Sequence, residues 1–188
     1  MRLFVAIDIN DDIKEKLSRL GESISQQCML SRLDVKWVLP EQMHLTLKFL
    51  GEVEEAKSLE ICGIVESVAV KKSCFDLEFE TVGCFGGRSA SVVWVGTGLG
   101  GDKLQDLQKD LENKFVSSGW AGDNRGFSGH LTLCRVKNPK AGHKLKKACD
   151  SYKYFKAGSV FVDSIVVYCS RLTSDGPLYS VIGKYKLK

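Results

Sequence analysis

Three absences narrow what this chain of 188 residues can be. No hydrophobic run approaches the roughly 20 residues that a membrane-spanning helix needs, which argues against an integral membrane protein. The apolar start at residues 1–9 contains Asp8, and it has neither a basic lead nor a small-residue cleavage site, so no signal peptide is indicated. We therefore expect a protein of the cytoplasm that does not contact a membrane.

Cysteine occurs seven times but never as a Cys-x-x-Cys pair, and no histidine stands at zinc-ligand spacing from a cysteine. This argues against a zinc site and favours reduced, buried thiols. Charge is nearly balanced, with 27 Lys and Arg against 23 Asp and Glu and a net charge of +4. Any affinity for nucleic acid must therefore come from a local patch of cations.

The composition, with 44% hydrophobic and 27% charged residues, is typical of a globular protein with one substantial core. Helix and strand patterns alternate along the chain, and two antiparallel hairpins are predicted, so we expect an α+β fold with helices outside. The strands are predicted at about residues 3–9, 35–39, 43–50, 75–82, 91–95, 129–136, 158–169 and 178–186. The helices are predicted at about residues 11–27, 54–70, 102–118 and 140–152, with a glycine-rich loop over 119–129 and a turn over 174–177.

Histidine is scarce, yet two of the three histidines stand in the same string, His-Leu-Thr-Leu, at residues 44–47 and 130–133. Alternate side chains of a strand share a face, so each copy places its His and Thr on one side and its leucines on the other. Two such strands could meet in space and present two imidazoles and two hydroxyls to one cleft. The presence of one motif in each half of the chain suggests an internal duplication.

Two histidines suit acid/base chemistry, because imidazole titrates near neutral pH. His44 and His130 could act together on a phosphodiester, one taking a proton from water while the other protonates a leaving oxygen. Thr46 and Thr132 would donate hydrogen bonds to the phosphate oxygens. A single histidine on a strand is more often a ring satisfied by a neighbour, but two identical His-x-Thr pairs favour the catalytic interpretation.

Three further side chains are candidates for contact with a substrate. Arg135 could bind a phosphate or an RNA backbone, although strict alternation places it on the leucine face unless the strand bulges near Cys134. Phe85, in a glycine-rich turn, could stack on a base or could plug the hydrophobic core. Lys48 shares the face of His44, but it could also extend into solvent at the end of the strand.

The paired motifs resemble the two signatures of the 2H phosphoesterase superfamily. Residues 2–8, 48–53 and 92–96 are also similar to its RNA 2′,3′-cyclic phosphodiesterase branch, formerly called 2′-5′ RNA ligase, and the likeness covers nearly the whole chain. The resemblance implies a bilobal fold with pseudo-twofold symmetry, in which mostly antiparallel sheets surround a central cleft. We expect one domain over residues 1–188, made of two similar lobes, and a monomer.

The same resemblance implies an activity, namely hydrolysis of the 2′,3′-cyclic phosphate at an RNA end to a 2′-phosphate, with no metal and no other cofactor. It implies that His44 donates a proton to the departing 3′ oxygen and that His130 activates water. It further implies that Thr46 and Thr132 hold the phosphate. The family often has proline before the second histidine, and Gly129 in that place predicts a looser approach to the strand.

Other functions stay open at this point. A different 2H activity, such as 2′-5′ ligation or cleavage, or attack on small cyclic nucleotides, would use the same residues. A module that binds RNA ends without catalysis is the alternative of another class, although both histidines and both threonines are intact. Two equivalent motifs do not by themselves reveal which histidine is the acid.

Overall fold

The structure, a computed structural model, describes residues 1–123, 126–174 and 176–188. The strands in these residues are β1 (Arg2–Asp8), β2 (Val35–Trp37), β3 (His44–Glu52), β4 (Phe75–Phe85), β5 (Val92–Thr97), β6 (His130–Val136), β7 (Lys156–Val162), β8 (Ser164–Thr173) and β9 (Gly176–Lys186). The helices are α1 (Asp11–Cys28), α2 (Ser58–Ala69), α3 (Gly101–Ser117) and α4 (Pro139–Ser151). The predicted loop over 119–129 includes Asn124 and Arg125, and the predicted turn over 174–177 includes Asp175, which all lie outside the described residues.

These strands form two antiparallel sheets. The first has the order β3-β1-β8-β9, and the second has the order β2-β6-β5-β4-β7. Helices α2 and α3 pack together beside the first sheet, where α2 contacts β8 and β9. Helices α1 and α4 pack together on the second sheet, where α1 contacts β6 and β7 and α4 contacts β4 and β6. This is an α+β fold with helices outside, and the predicted fold class is confirmed.

An internal repeat relates the two sheets. The order β1–α1–β3–α2 recurs as β5–α3–β6–α4, and in each sheet the His strand pairs with the first strand of its own unit. The first helix of each unit reaches the other sheet: α1 contacts β6 and β7, and α3 contacts β3 as well as β4 of the second sheet. The lobes are therefore not the two halves of the chain, because each half contributes to both sheets.

One predicted strand is in fact two. The sequence predicted a continuous strand over 158–169, but β7 ends at Val162 in the second sheet and β8 begins at Ser164 in the first. The chain crosses between the sheets at Asp163, whose carbonyl accepts a hydrogen bond from the N–H of Leu187 at 2.7 Å. Because both strands are rich in buried apolar residues, the hydrophobic pattern runs through the crossing without revealing it.

The leucines of the two motifs anchor the His strands in the core. Leu45 and Leu131 are fully buried, and Leu47 and Leu133 are almost so. Burying each of these side chains contributes about 1.5–3 kcal/mol, which fixes the opposite face of each strand. The predicted alternation of chemical and core faces is therefore confirmed over the motif itself.

Both His strands bulge at the second leucine of their motif. The extra residue is Leu47 in β3 and Leu133 in β6, as shown by the shift in pairing with β1 and β5. A bulge moves the alternation of faces by one position. Lys48 and Cys134 are consequently buried, Arg135 is exposed, and the seven residues from each histidine onward have the same burial pattern.

Candidate active site

The two His strands face each other across the gap between the sheets. β3 is the edge strand of the first sheet, and β2 covers only the last three residues of β6, so the front of β6 is open toward β3. A cavity of about 890 Å³ lies there, and it is lined by His44, Thr46, His130 and Thr132. The expected meeting of the two motifs is present, although the strands belong to different sheets.

Each imidazole is held through the backbone two residues before it. Nδ1 of His130 lies 2.6 Å from the carbonyl oxygen of Ser128, and His44 makes the equivalent hydrogen bond to the backbone of Gln42. Because a carbonyl can only accept, Nδ1 of His130 carries a proton. Proton exchange with a ligand must therefore take place at Nε2 of His130.

Aromatic rings surround His44 and shape its proton affinity. The ring of Phe4 lies 4.6 Å from the imidazole, and Tyr179 approaches it edge-on at 5.1 Å. Burial lowers the pKa of His44 to about 4, and this outweighs the hydrogen bond to Gln42 and the nearby charge of Asp8, which both raise it. The ring is therefore neutral at pH 7.

His130 has an equivalent aromatic neighbour. The predicted site residue Phe85 lines the cavity and meets His130 edge-on, with the ring centroids 5.0 Å apart. Trp94 lies beneath both, 5.3 Å from Phe85 and 6.3 Å from His130. Phe85 is 38% exposed, so it packs on one side and offers the other to the cavity.

Cations line the same cavity. Arg2, Lys36 and Arg135 all contribute to its wall. Burial raises the pKa of Tyr179 while Arg135 and Arg2 oppose that rise, so both guanidinium groups lie near the phenol. The bulge at Leu133 brings Arg135 to this side, where strict alternation would have pointed it into the core. The cavity is thus suited to an anionic ligand.

The structure decides between the two alternatives for Lys48. Its side chain does not extend into solvent, since it is buried, forms an ion pair 2.7 Å from Glu112 and lines the cavity. A Cβ at Gly129 would lie 2.5 Å from Leu104 and 3.3 Å from Thr97, so the glycine permits close packing against α3. The looser approach to β6 stays a prediction.

Sequence reasoning missed several contributors to the site. Phe4 carried only a weak signal: alternation in β1 places it on the face of Ala6, but the pairing of Ala6 with Thr46 is seen only in the structure. Tyr168 was not missed, since the sequence already suggested it and Tyr179 for the border of the cleft. Its hydroxyl donates a hydrogen bond to Asp8, the residue that pairs with His44. The backbone groups of Gln42 and Ser128 could not be predicted from the sequence, because every residue carries the same backbone carbonyl.

The described residues bear on three further points, namely metal ligands, thiols and membrane-spanning helices. No group of three or more His, Cys, Asp or Glu side chains in residues 1–123, 126–174 and 176–188 is placed to hold a metal ion. All seven cysteines are free thiols, and four of them are buried, namely Cys28, Cys134, Cys149 and Cys169. Among the described helices, none is both long and apolar enough to cross a bilayer.

Comparison with known proteins assigns the chain to a family. The family model described as "LigT like Phosphoesterase" matches residues 7–94 and 99–179, so each matched segment contains one His motif. The chain belongs to this family, and the resemblance inferred from the motifs is confirmed. The two matched segments also agree with the internal repeat of the fold.

Relatives match the chain almost end to end. A protein of Archaeoglobus fulgidus named RNA 2′,3′-cyclic phosphodiesterase is 36% identical over 182 residues, covering 95% of this chain and 96% of the relative. A protein of the same name from Methanothermobacter thermautotrophicus is 30% identical and covers 100% of this chain and 99% of the relative. Escherichia coli LigT, solved with 3′-AMP, is 26% identical with a TM-score of 0.77, over 99% of this chain and 97% of that one.

Proposed function

We propose that this protein hydrolyses the 2′,3′-cyclic phosphate at the end of an RNA to a 2′-phosphate, with His44 and His130 as the paired acid and base. Thr46 and Thr132 hold the phosphate, and the reaction needs neither a metal nor another cofactor. The substrate is supported by the two relatives described above that are named RNA 2′,3′-cyclic phosphodiesterase, which share 30% and 36% identity with this chain. A nucleotide-sized ligand is supported by LigT, which was solved with 3′-AMP.

The observation that carries this proposal is the placement of two His-x-Thr pairs on the walls of one cavity. His130 presents Nε2 as its exchanging nitrogen, because Nδ1 is held by the carbonyl of Ser128. Hydroxyl groups two residues along each strand share the face of the imidazole, which places a phosphate-oxygen donor beside each proton carrier. This equipment matches an in-line displacement at phosphorus.

In the proposed reaction His130 takes a proton from water as the water oxygen bonds to phosphorus. The bond between phosphorus and the 3′ oxygen breaks, and that oxygen receives a proton from His44. After the reaction His130 is protonated and His44 is neutral, the reverse of their starting states. Both imidazoles must exchange protons with solvent before the next cycle. The phosphate remains on the 2′ oxygen.

The acid assignment demands that His44 be protonated in the complex. Burial holds its pKa at about 4 in the unliganded site, so the ring must take up a proton from solvent when the substrate binds. A phosphodiester anion beside the ring favours the imidazolium and raises the pKa, as Asp8 already does to a smaller extent. Binding of the anionic substrate thus favours the protonated His44 that acts as the acid in its cleavage.

Two peripheral residues complete the proposal. Arg135 binds a phosphate of the RNA from the rim of the cavity, because its guanidinium is exposed there and stays charged. Phe85 packs against the terminal nucleoside, because its open side faces the cavity next to His130. Neither residue exchanges a proton in the reaction.

A product analysis tests the proposal directly. An RNA oligonucleotide with a 2′,3′-cyclic end is incubated with the protein and excess EDTA, and the product is compared chromatographically with 2′- and 3′-phosphate standards. We expect a 2′-phosphate, and we expect His44→Ala and His130→Ala each to lower kcat by about 10²–10⁴. His143→Ala is the matched control. His143 is exposed on α4, its Nδ1 makes a hydrogen bond to the carbonyl oxygen of Pro139, and it does not line the cavity.

Three results would contradict the proposal in different ways. A 3′-phosphate product would reverse the leaving oxygen and hence the roles of the two histidines. Cleavage of 2′-5′-linked oligonucleotides with no turnover of cyclic ends would replace the activity by another of the same superfamily. Tight binding of cyclic ends without any product would make the protein an RNA-end binder.

We further propose that the protein is a cytoplasmic monomer. Seven free thiols suit a reducing compartment, and both His-x-Thr pairs of the cavity come from the same chain, so the proposed chemistry needs no partner subunit. Light scattering coupled to gel filtration should give a mass near 20.8 kDa. A dimer mass at micromolar concentration would contradict the monomer.

A further inference from the structure

We infer that the ion pair between Lys48 and Glu112 is a positioning device that sets the second histidine against the first His strand. Lys48 directly follows the first motif, and Glu112 lies in α3, the helix that crosses between the sheets. The kinetic part of this inference rests on the proposed function. Its structural part rests on the contacts of Lys48 and Glu112 and on the closeness in sequence of residues 121–123 to Ser128, and it is tested separately below.

The ion pair lies in the wall of the cavity, with little of either side chain exposed. The side chain of Lys48 is 4% exposed and that of Glu112 is 19% exposed, with Nζ 2.7 Å from Oε2. The ring of Phe115 lies 5.8 Å from the ammonium group. Removing an ammonium ion from water is strongly unfavourable unless it is paired, so each partner requires the other in this place.

The same two side chains bind the backbone of the segment that follows α3. Nζ of Lys48 donates to the carbonyl oxygen of Ala121 at 3.2 Å, and Oε1 of Glu112 accepts the N–H of Asp123 at 2.8 Å. Both carboxylate oxygens of Glu112 are thereby used. Residues 121–123 are fixed to β3 and to α3 at once.

The residues held by the ion pair stand a few positions before the carbonyl that orients His130. Residues 126–128 line the cavity, and the carbonyl of Ser128 holds Nδ1 of the imidazole at 2.6 Å. Lys48 belongs to the first half-site, so the ion pair determines where the second half-site lies relative to it. The equivalent position of β6 is occupied by Cys134, whose side chain is uncharged and cannot form the same ion pair. The two half-sites therefore differ at this position.

Two substitutions remove the device with little change of shape. Lys48→Met removes the ammonium group and keeps the length, and Glu112→Gln removes the carboxylate charge but keeps an oxygen for the N–H of Asp123. We expect each to lower kcat on RNA with a cyclic end by roughly 10- to 100-fold, because the base is displaced, with little change in KM. The charge-preserving Lys48→Arg should recover part of the loss.

A spectroscopic readout separates positioning from general stability. At a pH where His130 is neutral, ¹⁵N spectra of the wild type should show the Nδ1–H tautomer. Lys48→Met should shift this ring toward the Nε2–H tautomer, which unconstrained histidine prefers. Lys72→Met is the matched control, because the Lys72–Asp110 pair also holds α3 at 2.7 Å but is more exposed and does not contact residues 121–123.

The outcomes are distinguishable. An unchanged tautomer and an unchanged kcat in folded Lys48→Met would refute the inference, and equal changes in Lys72→Met would attribute the effect to α3 packing in general. If Lys48→Met does not fold, Glu112→Gln and Lys48→Arg decide by the same two readouts. If the wild type has no activity on cyclic ends, the proposed function fails while the tautomer still decides the positioning.

Discussion

At the scale of single residues, the most consequential property is the low pKa of His44. Burial sets it at about 4, yet the proposed reaction needs an imidazolium at this position. We therefore predict that binding of a cyclic nucleotide at pH 7 takes up close to one proton, and that affinity falls as the pH rises. Calorimetry in buffers of different ionisation enthalpy measures this uptake, with 2′,3′-cyclic AMP as a diester whose charge is constant near pH 7.

The measurement uses His130→Ala as its background, so that the ligand is not consumed. The matched control adds His44→Gln, which removes the titrating group and should abolish the uptake. Binding without proton uptake in the His130→Ala variant would show that His44 stays neutral in the complex. In that event His44 is not the acid, and the direction of catalysis must be reversed.

Substituting alanine for two different glycines should change the stability of the protein in opposite directions. Gly129→Ala places a methyl group 2.5 Å from the buried Leu104, so we predict a loss of about 1–3 kcal/mol in the free energy of unfolding. Gly63→Ala lies in α2 with open space around the added methyl group, so we predict a gain of about 0.5–1 kcal/mol. Urea unfolding of both variants checks the signs, and a neutral Gly129→Ala would contradict the close packing.

Sequence reasoning indicated several side chains that line the cavity, although their roles stay predictions. Strand alternation and a repeated string pointed to His44, Thr46, His130 and Thr132, and Phe85 and Arg135 were further candidates. The inward turn of Lys48 could not be predicted, because it depends on a bulge that the sequence does not mark. Backbone carbonyls that orient the imidazoles are set by the path of the chain, which local patterns do not fix.

At the scale of elements, the bulges at Leu47 and Leu133 decide which side chains reach the cavity. The bulge in β6 brings Arg135 to the rim, so this residue can bind a phosphate of the RNA. We predict that Arg135→Gln raises KM for a cyclic-ended oligonucleotide roughly tenfold, with kcat nearly unchanged, because a charge-assisted contact to bound RNA is lost. The salt dependence of binding should weaken as well.

Steady-state kinetics at several salt concentrations measures both effects. Arg88→Gln is the matched control, because Arg88 is exposed in the turn between β4 and β5 and does not line the cavity. Equal effects of the two substitutions would indicate that only the net charge matters. A selective loss of kcat in Arg135→Gln would instead place this arginine at the reacting phosphate.

Helices and most strands were predictable because their hydrophobic periods are clear and their ends carry local signals. Asn10 caps α1, for example, by accepting the N–H of Ile13, as the polar run at residues 10–12 indicated. The crossing at Asp163 was not predictable, since β7 and β8 are apolar on both sides of it. Which sheet a strand joins depends on long-range pairing, for which the sequence of the strand alone carries little information.

At the scale of the whole molecule, the chain exchanges segments between its lobes. Strand β2 lies between α1 and β3 in sequence but joins the second sheet, and β8 and β9 return from the second lobe to complete the first. A duplication inferred from one motif in each half correctly indicated two similar lobes. It did not indicate that α1 and α3 each pack against the other lobe's sheet, because that arrangement arises only when the two units fold together.

From this exchange we propose that residues 1–188 form one domain, and we predict that it unfolds in a single cooperative transition. A cut after Thr97 would leave the first sheet without β8 and β9 and the second without β6 and β7, so each half would expose unpaired strand edges and much of its core. Calorimetry of the full chain should give equal calorimetric and van't Hoff enthalpies. Fragments 1–97 and 98–188 should each lack dispersed amide signals alone, whereas two separate transitions or an independently folded fragment would show that the lobes are autonomous domains.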